Sequence, residues 1–192
     1  MDMQERIDNY VSETGYPRSL FVSEDGRIVG TWIMGNNYRV KSGYYGGYPH
    51  GYLKRVKAMF PDKLSPIHVF SGRVDQSAWP GDTVDLNPEM CPTYLDDAQS
   101  LESVPLENYD IVLADPPYSV EDSEHYMPAM VKRNKVMRAL TKCKPGSHVV
   151  WLDQVLPMYR KDKWAMRGVI GMVKSTNHRF RVVTIFERLQ GQ

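Results

Sequence analysis

What is scarce in this chain narrows its class before any motif is considered. Cysteine occurs twice in 192 residues, at Cys91 and Cys143, with no C-x-x-C spacing. That excludes a cysteine zinc site and a disulfide framework, and makes a reducing cytoplasm the expected setting. His50, His68, His125, His148 and His178 never fall at metal-ligand spacing, so no metal is expected. Long apolar runs are missing, so no transmembrane helix is expected. The opening Met1-Asp2-Met3-Gln4-Glu5 has neither the basic nor the apolar part of a secretory signal. Internal repeats, low-complexity tracts, a Ser/His/Asp arrangement and a Walker-type glycine loop are also lacking. What remains is enough length for one domain with its own core, expected over residues 1–192.

Net charge is scarce too, at a formal +1, but it is a balance of unlike segments. Residues 62–125 hold 14 acids and two bases, residues 126–192 hold 14 bases and three acids, and residues 1–61 hold eight bases and six acids. A basic C-terminal third points to a polyanionic partner, unless the two segments neutralise each other in the fold.

Turning to what is present, residues 1–15 read as a polar helix. Leu20 to Trp32 reads as a hairpin turning at Asp25-Gly26. Residues 35–49 combine glycine, tyrosine and bases without either period, as a ligand-approaching or stacking loop does, and equally as a tyrosine-rich surface loop does. Gly51 to Phe60 has Leu53, Val56 and Phe60 on one helical face, with Pro61 as its stop. Strands are expected at Ile67–Gly72, Thr83–Asn87, Thr93–Ala98, Tyr109–Ala114 and His148–Asp153. A helix is expected from Met127 to Cys143. Two final strands, Trp164–Val173 and Phe180–Leu189, are expected to close the sheet as an antiparallel hairpin.

Several of these strands end in small or acidic residues: Gly72, Asp85, Asp97 and Asp115. In an open α/β sheet ligands bind outside the carboxyl ends of the strands. The sharpest ending is Ile111-Val112-Leu113-Ala114-Asp115-Pro116-Pro117-Tyr118. An apolar run there gives way to an acid, two prolines and a ring, and the prolines fix the backbone that carries them.

Asp115-Pro116-Pro117-Tyr118 behind a buried strand resembles the catalytic motif of the S-adenosylmethionine-dependent amino-methyltransferases that act on adenine N6 or cytosine N4. Val69-Phe70-Ser71-Gly72 resembles that family's methionine-binding turn, although Arg73 stands where a second glycine is usual. Asp85, with Leu86 beside it, stands where the family has a ribose-binding acid. Asp97-Ala98 resembles the acid that reads the cofactor's adenine. Tyr44 to Pro49 resembles a flanking cofactor segment through Tyr45, Gly46 and Tyr48. The resemblance covers about residues 42–189.

It implies a Rossmann-like α/β fold, mostly parallel and ending in an antiparallel hairpin. A core over 46–192 and an N-terminal extension over 1–45 are expected. S-adenosylmethionine is the implied cofactor, DNA or RNA the implied partner, and Asp115, Pro116, Pro117 and Tyr118 the implied catalytic group. The family's larger members have a separate recognition domain, whereas only 17 residues here separate Asp97 from Asp115. The resemblance is therefore to a minimal, phage-type adenine enzyme, monomeric or dimeric, working in the cytoplasm of its host. Nucleic-acid contacts are expected from Asn37, Tyr38, Arg39 and Lys41, and from Lys161, Lys163, Lys174 and Arg179. Methylation of cytosine N4 or of RNA adenine, and a non-catalytic cofactor- or DNA-binding module, remain open.

Overall fold

The computed structural model describes residues 1–35, 47–117, 130–174 and 180–191. Helix α1 (Met3–Thr14) opens the chain on a capping box in which the Asp2 side chain accepts from the Glu5 N–H and Glu5 reaches back to Asp2. Strands β1 (Leu20–Val22) and β2 (Ile28–Met34) form the hairpin, with Gly26 in the left-handed region at its turn. Gly30 is there because a Cβ would lie 2.1 Å from the Ser19 carbonyl oxygen. Helix α2 (Tyr52–Met59) buries Tyr52, Leu53, Val56 and Met59.

The remaining strands are β3 (Pro66–Val69), β4 (Asp82–Asp85), β5 (Tyr94–Leu95), β6 (Ile111–Ala114), β7 (His148–Asp153), β8 (Trp164–Lys174) and β9 (Phe180–Arg188). Helix α3 (Arg133–Ala139) precedes β7. All nine described strands form one sheet in the order β1-β2-β8-β9-β7-β6-β3-β4-β5. Pairings within β5-β4-β3-β6-β7 are parallel, and so is β2 with β8. Only β1 and β9 run the other way.

This is a Rossmann-like mixed α/β sheet, mostly parallel, with an antiparallel hairpin. Alternation sorts the side chains into two cores. Ile111, Leu113, Val150 and Leu152 pack under α1 and α2, while Val112, Ala114, Val149 and Trp151 pack under α3. The chain leaves β3 toward β4 and β5 but re-enters at β6 on its other side, so the switch point lies between β3 and β6.

Three expectations are corrected. The β8–β9 hairpin does not close the sheet: β2 pairs with β8 over seven residues and β1 forms the edge. Pairing covers a long strand that would otherwise be an open edge. Within the described part of the expected helix 127–143 the chain forms α3 followed by a single 3-10 turn at Leu140–Lys142. Lys132 is extended and its N–H donates to the Gln99 side chain, which keeps Met130 and Val131 out of the helix, while residues 127–129 lie outside the described residues. Met130 is accordingly half exposed while Met137 and Leu140 are buried. Finally, β5 pairs only through Tyr94 and Leu95. The carboxylates of Asp96 and Asp97 take up local N–H groups of Asp97, Ser103 and Gln99, which turns the chain away from the ladder.

Candidate functional site

Because β2, β3, β4, β5, β6, β7 and β8 are all mutually parallel, their carboxyl ends share one edge of the sheet. At its centre Val69 is paired with Ala114, so the turn Phe70–Gly72 and the stretch Asp115–Pro117 leave neighbouring strands side by side. Asp115 and Pro117 are half-buried and Pro116 is buried. By strand phase, Asp115 continues the Ile111–Leu113 face, toward α2.

The β3 turn is tightly determined. Phe70 has φ 60° and Gly72 φ 49°, so two left-handed residues flank Ser71. A non-glycine residue in that region stores strain, which tends to mark functional turns. The turn holds because the Ser71 N–H donates to the Val84 carbonyl at 3.1 Å and the Gly72 N–H to Asp85 Oδ2 at 2.7 Å. Asp85 Oδ1 also accepts from the Asn87 N–H at 2.9 Å. The Ser71 hydroxyl is buried and has no partner among the described residues. Leu86, beside Asp85, is 44% exposed at the same edge. One strand further out, Asp97 accepts from the Gln99 N–H at 2.8 Å, and Ala98 is buried.

On the α2 side, the Tyr48 and Tyr52 rings stack with centroids 5.1 Å apart, and Tyr52 stands edge-on to Trp32 at 6.4 Å. Both phenol hydroxyls are buried without a hydrogen-bond partner among the described residues. Burial first, and then the Asp115 charge, hold both phenols well above their ordinary pKa, so both stay protonated.

On the α3 side, Asp153 ends β7 with its side chain fully buried. Arg133 grips it with two hydrogen bonds, Nε to Oδ2 at 2.5 Å and Nη2 to Oδ1 at 3.1 Å. The Trp151 indole N–H (3.0 Å) and the Gln154 N–H (2.7 Å) complete its coordination. Arg133 Nη2 also donates to the Pro117 carbonyl at 3.4 Å. The backbone behind Asp115 is thus tied to a buried ion pair.

Of the residues singled out from sequence, the fold gathers Phe70, Ser71, Gly72, Asp85, Leu86, Asp97, Ala98, Asp115, Pro116 and Pro117 at this edge, with Tyr48 beside them. Lys174, at the end of β8, lies on the same edge, whereas Lys161 and Lys163 precede β8 and lie on the opposite one. Asn37, Tyr38, Arg39, Lys41, Tyr45, Gly46, Tyr118 and Arg179 lie outside the described residues. Sequence reading missed Tyr52, Arg133 and Asp153. Asp153 carried a signal, as an acid closing the wholly apolar run Val149–Leu152.

Among the described residues no cluster of metal-ligating side chains occurs, and no helix is long and apolar enough to cross a membrane. No protein-family model matches the sequence, and no curated protein matches it. Among solved structures, an rRNA methylase from Streptococcus thermophilus is similar with a TM-score of 0.44 and 10% identity, over 66% of this chain and 88% of its own. The mitomycin 7-O-methyltransferase MmcR is similar at 0.42 and 13%, over 67% of this chain and 50% of its own. A candidate methyltransferase complexed with SAH is similar at 0.46 and 13%, over 89% of this chain and 57% of its own. At these scores the likeness adds nothing to what the strand order already establishes.

Proposed function

We propose that this chain transfers a methyl group from S-adenosylmethionine to the exocyclic N6 amino nitrogen of adenine in DNA. The observation that carries the reading is the Asp115-Pro116-Pro117 stretch at the switch point, beside the strained Phe70–Gly72 turn. The residues suit the cofactor. Ser71 offers a buried hydroxyl still lacking a partner, for the amino-acid part. The Asp85 carboxylate, half-buried and already fixed by two N–H groups, keeps lone pairs for a ribose diol. Leu86, Asp97 and Ala98 follow along the edge for the adenine ring, and Tyr45 and Gly46 are assigned to the same cofactor.

When bound, S-adenosylmethionine supplies an electrophilic methyl on a sulfonium and departs as a neutral thioether. The protein's task lies with the amino group, whose lone pair is delocalised into the ring. The Asp115 carboxylate and the Pro116 carbonyl accept its two N–H bonds. That favours a pyramidal nitrogen and stabilises the positive charge that develops as the N–C bond forms. Asp115 then carries away the proton the nitrogen must lose. The two prolines and the Arg133 tie on Pro117 hold these acceptors in place. Tyr118 is assigned to stacking on a base swung out of the helix, a contact worth about 1–3 kcal/mol. Lys174 and Arg179, with Asn37, Tyr38, Arg39 and Lys41, are assigned to the nucleic-acid backbone. Lys161 and Lys163 reach only nucleic acid that wraps to the far edge.

The test is incubation of the protein with methyl-labelled S-adenosylmethionine and unmodified DNA or RNA, followed by digestion to nucleosides. Labelled N6-methyldeoxyadenosine is the expected product. Labelled N4-methyldeoxycytidine or N6-methyladenosine from RNA would move the target and keep the chemistry. No label in any nucleoside would overturn the reading.

A further inference from the structure

Tyr52 is the feature that the reading above leaves unused. Its ring is 1% exposed and firmly packed between Tyr48 and Trp32, yet its hydroxyl has no partner among the described residues. The Tyr48 hydroxyl is in the same state. A buried hydroxyl left unpaired weakens the fold, and phenylalanine would fill the same space without that loss. The two phenols also lie on one face of the sheet. Tyr52 belongs to the core that contains Ile111 and Leu113, and Tyr48 packs against it. Asp115 follows in the same phase, and its charge is felt at both hydroxyls.

The arrangement therefore offers an acceptor, Asp115, beside donors whose own positions are fixed. An amino group next to an unprotonated ring nitrogen has the matching edge: N–H donors beside an acceptor. At purine C6 and pyrimidine C4 of the pairing edge, adenine and cytosine carry that pattern, whereas guanine, thymine and uracil present a carbonyl and a ring N–H there. We propose that Tyr52, with Tyr48 stacked on it, donates a hydrogen bond to the ring nitrogen adjacent to the amino group being methylated. Tyr52 thereby orients the base on Asp115 and selects amino over oxo bases. The inference rests on the amino-methyltransferase reading. Because the phenols remain protonated, their donor character does not change across the working pH range.

Tyr52→Phe keeps the packing and removes the donor, and Tyr48→Phe serves as the companion. Each is assayed on DNA containing adenine and on the same DNA with 1-deazaadenine, in which C–H replaces the ring nitrogen. The expected result is that Tyr52→Phe melts at or above the wild-type temperature. It loses about tenfold in kcat/KM on adenine and loses nothing further on 1-deazaadenine, as befits one neutral hydrogen bond. Equal activity of Tyr52→Phe and wild type on adenine would mean that water satisfies the hydroxyl, and would overturn the proposal. An equal loss on both substrates would do the same, since it would indicate a packing role. Wild-type protein that methylates no nucleic acid would overturn the amino-methyltransferase reading itself, a distinct failure.

Discussion

The two halves of the sheet satisfy their charges in opposite ways. In the acidic half, β3 to β6, carboxylates are met mainly by N–H and O–H groups. Asp85 holds Gly72 and Asn87, Asp110 holds Leu64 and Ser65, Asp96 holds Ser103, and Asp82 takes the Tyr109 hydroxyl. In the basic half, α3 to β9, each of the three acids pairs with an arginine of that same half: Asp153 with Arg133, Asp162 with Arg160, and Glu187 with Arg167. The described ion pairs thus leave the opposed charges of the halves largely uncancelled. A fold that only needed neutrality could have paired them across the sheet. Among the described residues the acidic half is an array of oriented acceptors, and the proposed function assigns it the cofactor and the basic half the phosphates. Asp115 stands at the seam.

The comparison breaks most visibly at Arg133. Arg133→Met strands the Asp153 carboxylate in the core, and a loss of about 3–5 kcal/mol is expected, read as a lower urea midpoint. Replacing Asp153 by leucine in the same chain is expected to recover most of that loss. If Arg133→Met unfolds like wild type, the ion pair is not what ties α3 to β7. Salt separates the halves next. Raising it from about 50 to about 200 mM is expected to weaken nucleic-acid binding roughly tenfold or more, even with only about two phosphate contacts. S-adenosylhomocysteine binding, by calorimetry, is expected to change little. Parallel losses would mean that the two halves do not divide the work.

Asp85→Ala acts on the acidic half alone. It removes the acceptor of the Gly72 N–H and the proposed ribose contact, so cofactor affinity is expected to drop about tenfold with nucleic-acid affinity unchanged. The smallest effect concerns the edge opposite the site. His148 is buried against Phe60, and burial first, then the Lys63 and Arg6 charges, lower its pKa to about 3. Above its unfolded value near 6.5 it is neutral in both states and contributes no pH dependence. As pH falls below that value the unfolded chain takes up a proton that the folded one refuses, so stability declines toward pH 3. A melting temperature flat above about pH 7 and falling below it is expected, with a shallower fall in His148→Phe. Identical slopes in the two proteins would remove His148 from the account.

Much of this was legible in the sequence because it is local. Asp25-Gly26 announced its hairpin, Pro61 its helix end, and the apolar run into Asp115 its strand. The acids after β4 and β5 were readable as strand ends, but not that Asp96 and Asp97 would cut β5 to two residues by capturing backbone N–H groups. What stayed hidden depends on contacts distant in sequence. Arg133 reaches Asp153 twenty residues on, and β2 crosses the chain to pair with β8. Tyr52 lay within an expected helix without standing out, because nothing local reveals whether a buried hydroxyl finds a partner. Lys161 and Lys163 stood out by charge, whereas their edge of the sheet follows from the direction of β8.

The central claim is that Asp115 acts on an amino nitrogen of a base while the cofactor is held elsewhere. It is tested most directly by mass spectrometry of nucleosides from DNA treated with wild type and with Asp115→Ala, at equal occupancy by S-adenosylmethionine. The account predicts N6-methyldeoxyadenosine from wild type. It predicts a loss of about a hundredfold or more from Asp115→Ala, with melting temperature and cofactor affinity preserved. Methylated base appearing at wild-type rates from Asp115→Ala would contradict it.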